Sequence, residues 1–246
     1  MVDGSPTDAS RDRDWAAELV EAQPSRDGHG VADRLHRVCN AGIEGLALDG
    51  AAVTLRAGAM SEAVAASSGD TARSLAQLEF DLGEGPAREC WDRRRPVLVP
   101  DLTRPTDGLW PAFAPAALAC GTHAAFGLPL QVGAARFGAL TLYSAAPRHL
   151  QPDERARALV LAEIATEMLL DSATASADGE MDPNLKRVLD VRGEIYQAQG
   201  MVMVSLGVGL PEALARMRAY AFVEGRELLD VSLDIIDGRL HLEDGN

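Results

Sequence analysis

Between Glu194 and Glu212 the sequence IYQAQGMVMVSLGVGLP carries no charged residue, although the protein of 246 residues has a net charge of −14. A run of this kind has few ways to fold. A membrane-spanning helix needs about 20 predominantly apolar residues. Here Gln197, Gln199, Gly200, Ser205, Gly207, Gly209 and Pro211 interrupt the run, and the segment from Gly207 to Pro211 ends a helix. The reading left is the buried side of a small helical module, or a surface that binds something.

Helical periodicity supports the first of these. A helix from Asn184 to about Leu206, with Pro183 suited to its first turn, places Val188, Ile195, Val202 and Leu206 on one face, flanked by Val191, Ala198 and Met203. Arg192 and Gln199 fall inside that stripe. A second helix starting at Pro211 aligns Leu210, Leu214, Met217 and Ala221, leaves Arg216, Ala219 and Val223 outward, and ends at Gly225. A third, from about Arg226 to Gly238, aligns Leu229, Ser232, Leu233 and Ile236. Short helices of this length are not stable alone and must bury their stripes against one another.

The preceding chain has a different texture. Residues 1–28 are rich in Ser, Asp, Pro and Gly and are expected to form a flexible or loosely docked arm, with one short helix in WAAELVEA. VADRLHRVCNAGIEGL is an amphipathic helix by spacing. Strand-like pieces follow in AAVTLRAG and EAVAASSG, then helix, glycine turn and helix in SLAQLEFDLGEGPARECW, and a strand in RRRPVLVPDL. DGLWPAFAPAALACG reads as a helix with Pro111 near its start and Gly121 at its end. HAAFGLPLQV and ARFGALTLYS read as two strands joined near Gly133, and a long helix runs from Pro152 to about Leu170. One sheet with helices packed on it, an α+β domain, is the architecture this order implies. The expected boundaries are an arm at 1–28, a sensor-like domain at 29–170, a small polar linker at 171–183 and the helical module at 184–246.

Strong acidity argues against broad electrostatic capture of nucleic acid or of an anionic membrane, though not against a local basic patch. From Met181 onward the chain has seven basic residues against eleven acidic ones, a net charge of −4. Cys39, Cys90 and Cys120 are odd in number and far apart, with no CxxC, which argues against a disulfide framework or a zinc site. The polar start MVDGSPTDASRDRDW is not a signal peptide, so a cytoplasmic location is expected. No phosphate-binding glycine loop, paired catalytic carboxylates or nucleophile elbow is visible, and the expectation is a protein that is not an enzyme.

Ile195–Met203, Pro211–Leu214, Met217–Arg218, Ala221 and Arg226–Val231 together resemble the ANTAR domain. That resemblance implies a C-terminal three-helix RNA-binding module of bacterial transcription antiterminators, acting as a homodimer that stabilises paired hairpins in a nascent leader transcript. It puts Gln199, Arg216, Arg218, Tyr220, Arg226 and Arg239 forward as RNA contacts: arginines for phosphate, Tyr220 to stack on an unpaired base. Each also has a plainer role. Gln199 reads equally as a register residue in a dimer seam, the arginines as solvated or paired to nearby carboxylates, and Tyr220 as a packing residue. The chain departs from the family at Gln199, where lysine is common, at Ser232, where alanine is common, and in its acidic end IIDGRLHLEDGN.

The Gly83–Glu84–Gly85–Pro86 turn, the Pro96–Val99 strand and the Gly138–Leu140 segment resemble the GAF domain over about Val31 to Leu170. This implies a small-molecule sensor built on an antiparallel sheet with flanking helices. Cys90, Trp110, Phe113, Cys120 and His123 are the candidate pocket residues. No histidine sits in a haem-ligating motif and nothing marks a cyclic nucleotide site, so the cofactor is unknown. The combined resemblance is to GAF–ANTAR transcription antiterminators of the actinobacterial type. The function it implies is signal-responsive antitermination through RNA hairpins; the alternative is a non-enzymatic adaptor or ligand-sensing module acting through protein–protein contacts. The implied partners are RNA, a second copy of the chain and a small ligand, with no membrane.

Overall fold

The computed structural model describes residues 8–25, 30–57, 61–104, 109–175 and 193–242. Five strands, β1 (Gly50–Ala57), β2 (Ser61–Ser67), β3 (Val97–Val99), β4 (Ala124–Val132) and β5 (Ala135–Ser144), form one antiparallel sheet in the order β2-β1-β5-β4-β3. Side chains alternate across a pleated strand, and this alternation sorts two cores. Val53, Leu55, Phe126, Leu128, Leu130, Leu140 and Leu142 point to one face, where α2 (Val31–Leu46) and α6 (Pro152–Ala175) cover them. Ala52, Ala125, Ala139 and Tyr143 point to the other, beneath α3 (Asp70–Leu82), α4 (Pro86–Arg93) and α5 (Phe113–Ala119). The small residues on that second face let helices come close. A Cβ on Gly127 would stand 2.4 Å from the Pro86 carbonyl oxygen, so α4 rests on bare backbone there.

Two of the expected boundaries fall on described residues. The segment expected as a flexible or loosely docked arm with one short helix contains α1 (Asp8–Ala22), docked on the first face with Ala16 and Val20 buried. Gly45 of α2 is the reason: a Cβ there would meet Trp15 at 2.4 Å and Leu19 at 2.6 Å. Arg13 pairs with Glu167 at 2.6 Å, and Arg157 lies 4.9 Å from the Trp15 ring centroid while reaching Asp12 at 3.4 Å. The linker expected from residue 171 begins later, because α6 runs on to Ala175. The rest of that linker, and the start of the helix expected from Asn184, including Val188 and Val191, lie outside the described residues.

The C-terminal module is α7 (Gly193–Leu206), α8 (Leu210–Glu224) and α9 (Leu228–Ile236). The chain bends by 105° between α7 and α8, at Gly207, whose φ of +64° a side chain would strain. Gly225, at φ +61°, ends α8, its N–H facing the carbonyls of Ala221 and Phe222. Ile195, Ala198, Gln199 and Val202 of α7 and Ala213, Leu214, Met217 and Ala221 of α8 are buried. The face expected for the third helix is off by one residue. Leu228, Val231, Ser232 and Ile235 go inside, while Leu229 and Leu233 are 37% and 38% exposed. LLDVSLDII has two apolar stripes of nearly equal strength. The buried one includes Ser232, whose hydroxyl donates to the Leu228 carbonyl at 2.7 Å and so enters the core satisfied.

The core of this module also takes one residue from the first domain. Phe80 of α3, 2% exposed, belongs to the same cluster as Ile195, Met217 and Leu228. Among the described residues no single helix is long and apolar enough to cross a membrane.

Candidate nucleic-acid interface and domain junction

The Gly-Glu-Gly-Pro turn does four jobs in four residues. Gly83 closes α3 at φ +71°. Glu84 sends Oε1 across to accept the N–H groups of Ala112 and Phe113 at 2.5 and 2.7 Å, which holds the start of α5. Gly85 leaves room for Glu79, whose Cγ would lie 2.5 Å from any Cβ there, and Pro86 opens α4. Glu79 itself is fully enclosed. Its Oε1 accepts the Tyr143 hydroxyl at 2.7 Å and its Oε2 the Ala87 N–H at 2.6 Å. Burial outweighs both hydrogen bonds and pushes its carboxyl up to about 8. Burial and the neighbouring Glu79 in turn raise the Tyr143 phenol well above its ordinary value.

Among the described residues, the groove beside α5 takes in one of the five expected pocket residues. Cys90 and Phe113 are completely buried packing residues, and Phe113 meets Trp110 edge-to-face with centroids 5.7 Å apart. Burial pushes the Cys90 thiol up to about 12, which removes it as a reactive thiolate. Cys120 is exposed at the end of α5. His123 precedes β4, and its carbonyl accepts the Leu102 N–H at 2.8 Å. Of the five, Trp110 alone lines a groove of about 360 Å³, together with Val99, Leu102, Leu109, Ala114 and Leu118. Trp110 has φ +57°, and its indole N–H is buried without a hydrogen-bond partner among the described residues.

The six expected RNA contacts divide in the same way. Gln199 is 1% exposed, and its Nε2 donates to the Leu210 carbonyl at 2.6 Å, so it braces the α7–α8 turn from within. It is withdrawn as a surface contact, because freeing it would break that turn. Arg216 lies near Glu212 at 2.9 Å on the outer side of α8, with Tyr220 one turn along the same face, packed at the edge of the core. Arg226 and Arg239 are brought together by Asp234, at 2.6 and 2.7 Å, and Arg239 also reaches Asp237 at 2.6 Å. These hydrogen bonds hold the Asp234 carboxyl below its ordinary value.

Arg218 is different. Two residues from Arg216 along a helix, it points about 200° away and lies between the domains. Its guanidinium carbon is 5.1 Å from the Phe80 ring centroid, and a Cβ at Gly83 would be 2.8 Å from its Nη1. Its Nε is buried without a hydrogen-bond partner among the described residues. Burial, and then Arg88, push its pKa down to about 10, against the opposing pull of Glu62 and Asp81. Close by, Arg56 and Arg136 lie 5.2 and 4.3 Å from the Trp91 centroid, and the Glu62 N–H donates to the Tyr196 hydroxyl at 2.9 Å. Phe80, Gly83 and Tyr196 thus join the candidate set from the structure alone. Nothing in the sequence ties position 80 to position 218.

A sheet-and-helix domain followed by a three-helix module that carries arginines makes a two-domain chain. Comparison with known families makes this specific: the GAF domain model matches residues 28–169 and the ANTAR domain model residues 184–236. The chain belongs to the GAF domain family and carries an ANTAR domain after it, the arrangement of a signal-sensing regulatory protein.

Solved structures agree on the first domain. The GAF domain of a phosphoenolpyruvate-protein phosphotransferase from Coxiella burnetii aligns with a TM-score of 0.51 at 18% identity, covering 69% of this chain and 97% of that one. Its counterpart from Acinetobacter gives 0.52 at 11% identity, covering 70% and 98%. Free methionine-R-sulfoxide reductase from Neisseria meningitidis, solved with its substrate, gives 0.50 at 14% identity, covering 70% and 95%. At such identities the likeness is one of fold. No curated protein matches the chain.

Proposed function

We propose that this protein is a signal-responsive RNA-binding regulator whose ANTAR module binds paired hairpins in a nascent transcript and promotes antitermination. The observation that carries this reading is the ANTAR match over 184–236 together with Arg216, Arg226 and Arg239 on the module's outer surface. Charged side chains aimed outward from short rigid helices can pair with phosphates, and Tyr220 beside Arg216 offers a ring for an unpaired base. The protein acts as a homodimer in the cytoplasm, and exposed Val204, Phe222 and Val223 supply apolar surface for a second copy. A small-molecule signal suits the groove beside Trp110, which is lined mainly by apolar side chains together with Thr103 and Arg104. An electrophoretic mobility assay with leaders bearing two short hairpins tests the reading. A salt-sensitive shift that needs both hairpins is expected; absence of any shift at low salt removes it.

A further inference from the structure

The junction pairs a cost with a grip. Arg218 is partly buried, with its Nε enclosed and unpartnered. Arg88 and Arg56 repel it, Glu62 and Asp81 attract it from further off, and no carboxylate lies within 4.0 Å of it among the described residues. A buried cation without a close counter-ion is unfavourable. What holds it is the Phe80 ring beneath it, the apolar contact of Phe80 with Met217 and Ile195, and the Glu62–Tyr196 hydrogen bond. A phosphate outside would offer that guanidinium the partner it lacks.

We propose that the GAF surface formed by Phe80, Gly83 and the Glu62 backbone is a docking face for the protein's own ANTAR module, and that RNA displaces it. Docking and RNA binding exclude one another because both use Arg218. The inference rests on the RNA-binding reading above and adds the residues through which the first domain withholds the second. Gly83 has a definite part: any side chain there would occupy the space of the Arg218 guanidinium. Arg216, Arg226 and Arg239 stay outward while docked, so RNA meets a partial surface first and completes it only when α8 leaves α3.

The test uses the full chain, with Phe80→Ala and the milder Tyr196→Phe. Phenylglyoxal labelling read by mass spectrometry reports whether Arg218 is covered, with exposed Arg95 as the internal reference. In the unaltered protein Arg218 should label far more slowly than Arg95, and both variants should narrow the gap. Equal labelling in the unaltered protein overturns the docking.

Affinity for a two-hairpin RNA should rise roughly tenfold in Phe80→Ala, in the range of ordinary coupling between sites, and RNA should speed amide exchange at residues 79–83 of the unaltered chain. Equal affinity with unchanged exchange overturns the exclusion while leaving the RNA reading intact. If no variant binds RNA, the RNA reading falls and the displacement with it; the labelling still reports docking by itself.

Discussion

Glu79 has a carboxyl pushed up to about 8, so through the neutral range the folded chain keeps a proton that the unfolded chain has released. The sign follows from that. The folded pKa lies above the unfolded one, so the contribution to stability is whole below about pH 4.5 and is lost as pH rises towards 8. Glu79→Gln keeps an acceptor for Tyr143 or Ala87 and removes the titration. Thermal unfolding should therefore show the unaltered protein losing on the order of a few kcal/mol between pH 5 and 8, with the variant nearly flat. Parallel curves would remove Glu79 as the source. At the surface, Asp234 holds Arg226 and Arg239 and competes with phosphate for both. Asp234→Asn should tighten RNA binding, by up to roughly fivefold if breaking an exposed pair sets the limit; a titration showing weaker binding would contradict it.

Among the elements, α9 gives the sharpest contrast. Leu228 is fully buried and its neighbour Leu229 is 37% exposed. Leu228→Ala should cost about 2–5 kcal/mol by leaving a cavity, while Leu229→Ala should stay within about 0.5 kcal/mol, as read by denaturant unfolding. A larger loss at Leu229 than at Leu228 would restore the face expected from sequence. That error is instructive, since LLDVSLDII offers two stripes and only partners in space choose between them. The strands were legible because their apolar residues alternate, and the turns because glycine and proline punctuate them. α1 was legible only in its second half: WAAELVEA reads as a short helix, but DASRDRDWAAELVEA is mostly polar, and the seat of the helix depends on the missing side chain of Gly45. Of the candidate contacts, the arginines could be named from motif position. Arg218's burial and Gln199's brace on Leu210 could not, because both depend on how elements far apart in sequence pack.

For the whole molecule, a net charge of −14 opposes RNA at long range while a few arginines attract it at contact. Affinity should therefore be modest and strongly dependent on salt. Four phosphate contacts, by Arg216, Arg218, Arg226 and Arg239, would give a slope of about −3 in log affinity against log salt, at roughly 0.7 per contact for single strands. Because RNA displaces the docked state, the unaltered protein and Phe80→Ala reach the same complex and should share this slope; about −2 in the unaltered protein alone would mean that Arg218 stays covered when RNA binds. Comparing the slopes of the unaltered protein and Phe80→Ala counts the phosphates engaged, and a slope near zero in both would exclude a phosphate-based mode.

The aromatic ring at position 80 has a consequence for anyone who cuts the chain in two. It fills space among residues 195–235, so a fragment beginning after α6 starts life with an open socket in its interior and a cationic side chain already set loose. Such a fragment is a permanently unlocked variant, and whatever grip on transcripts it displays belongs to that state alone.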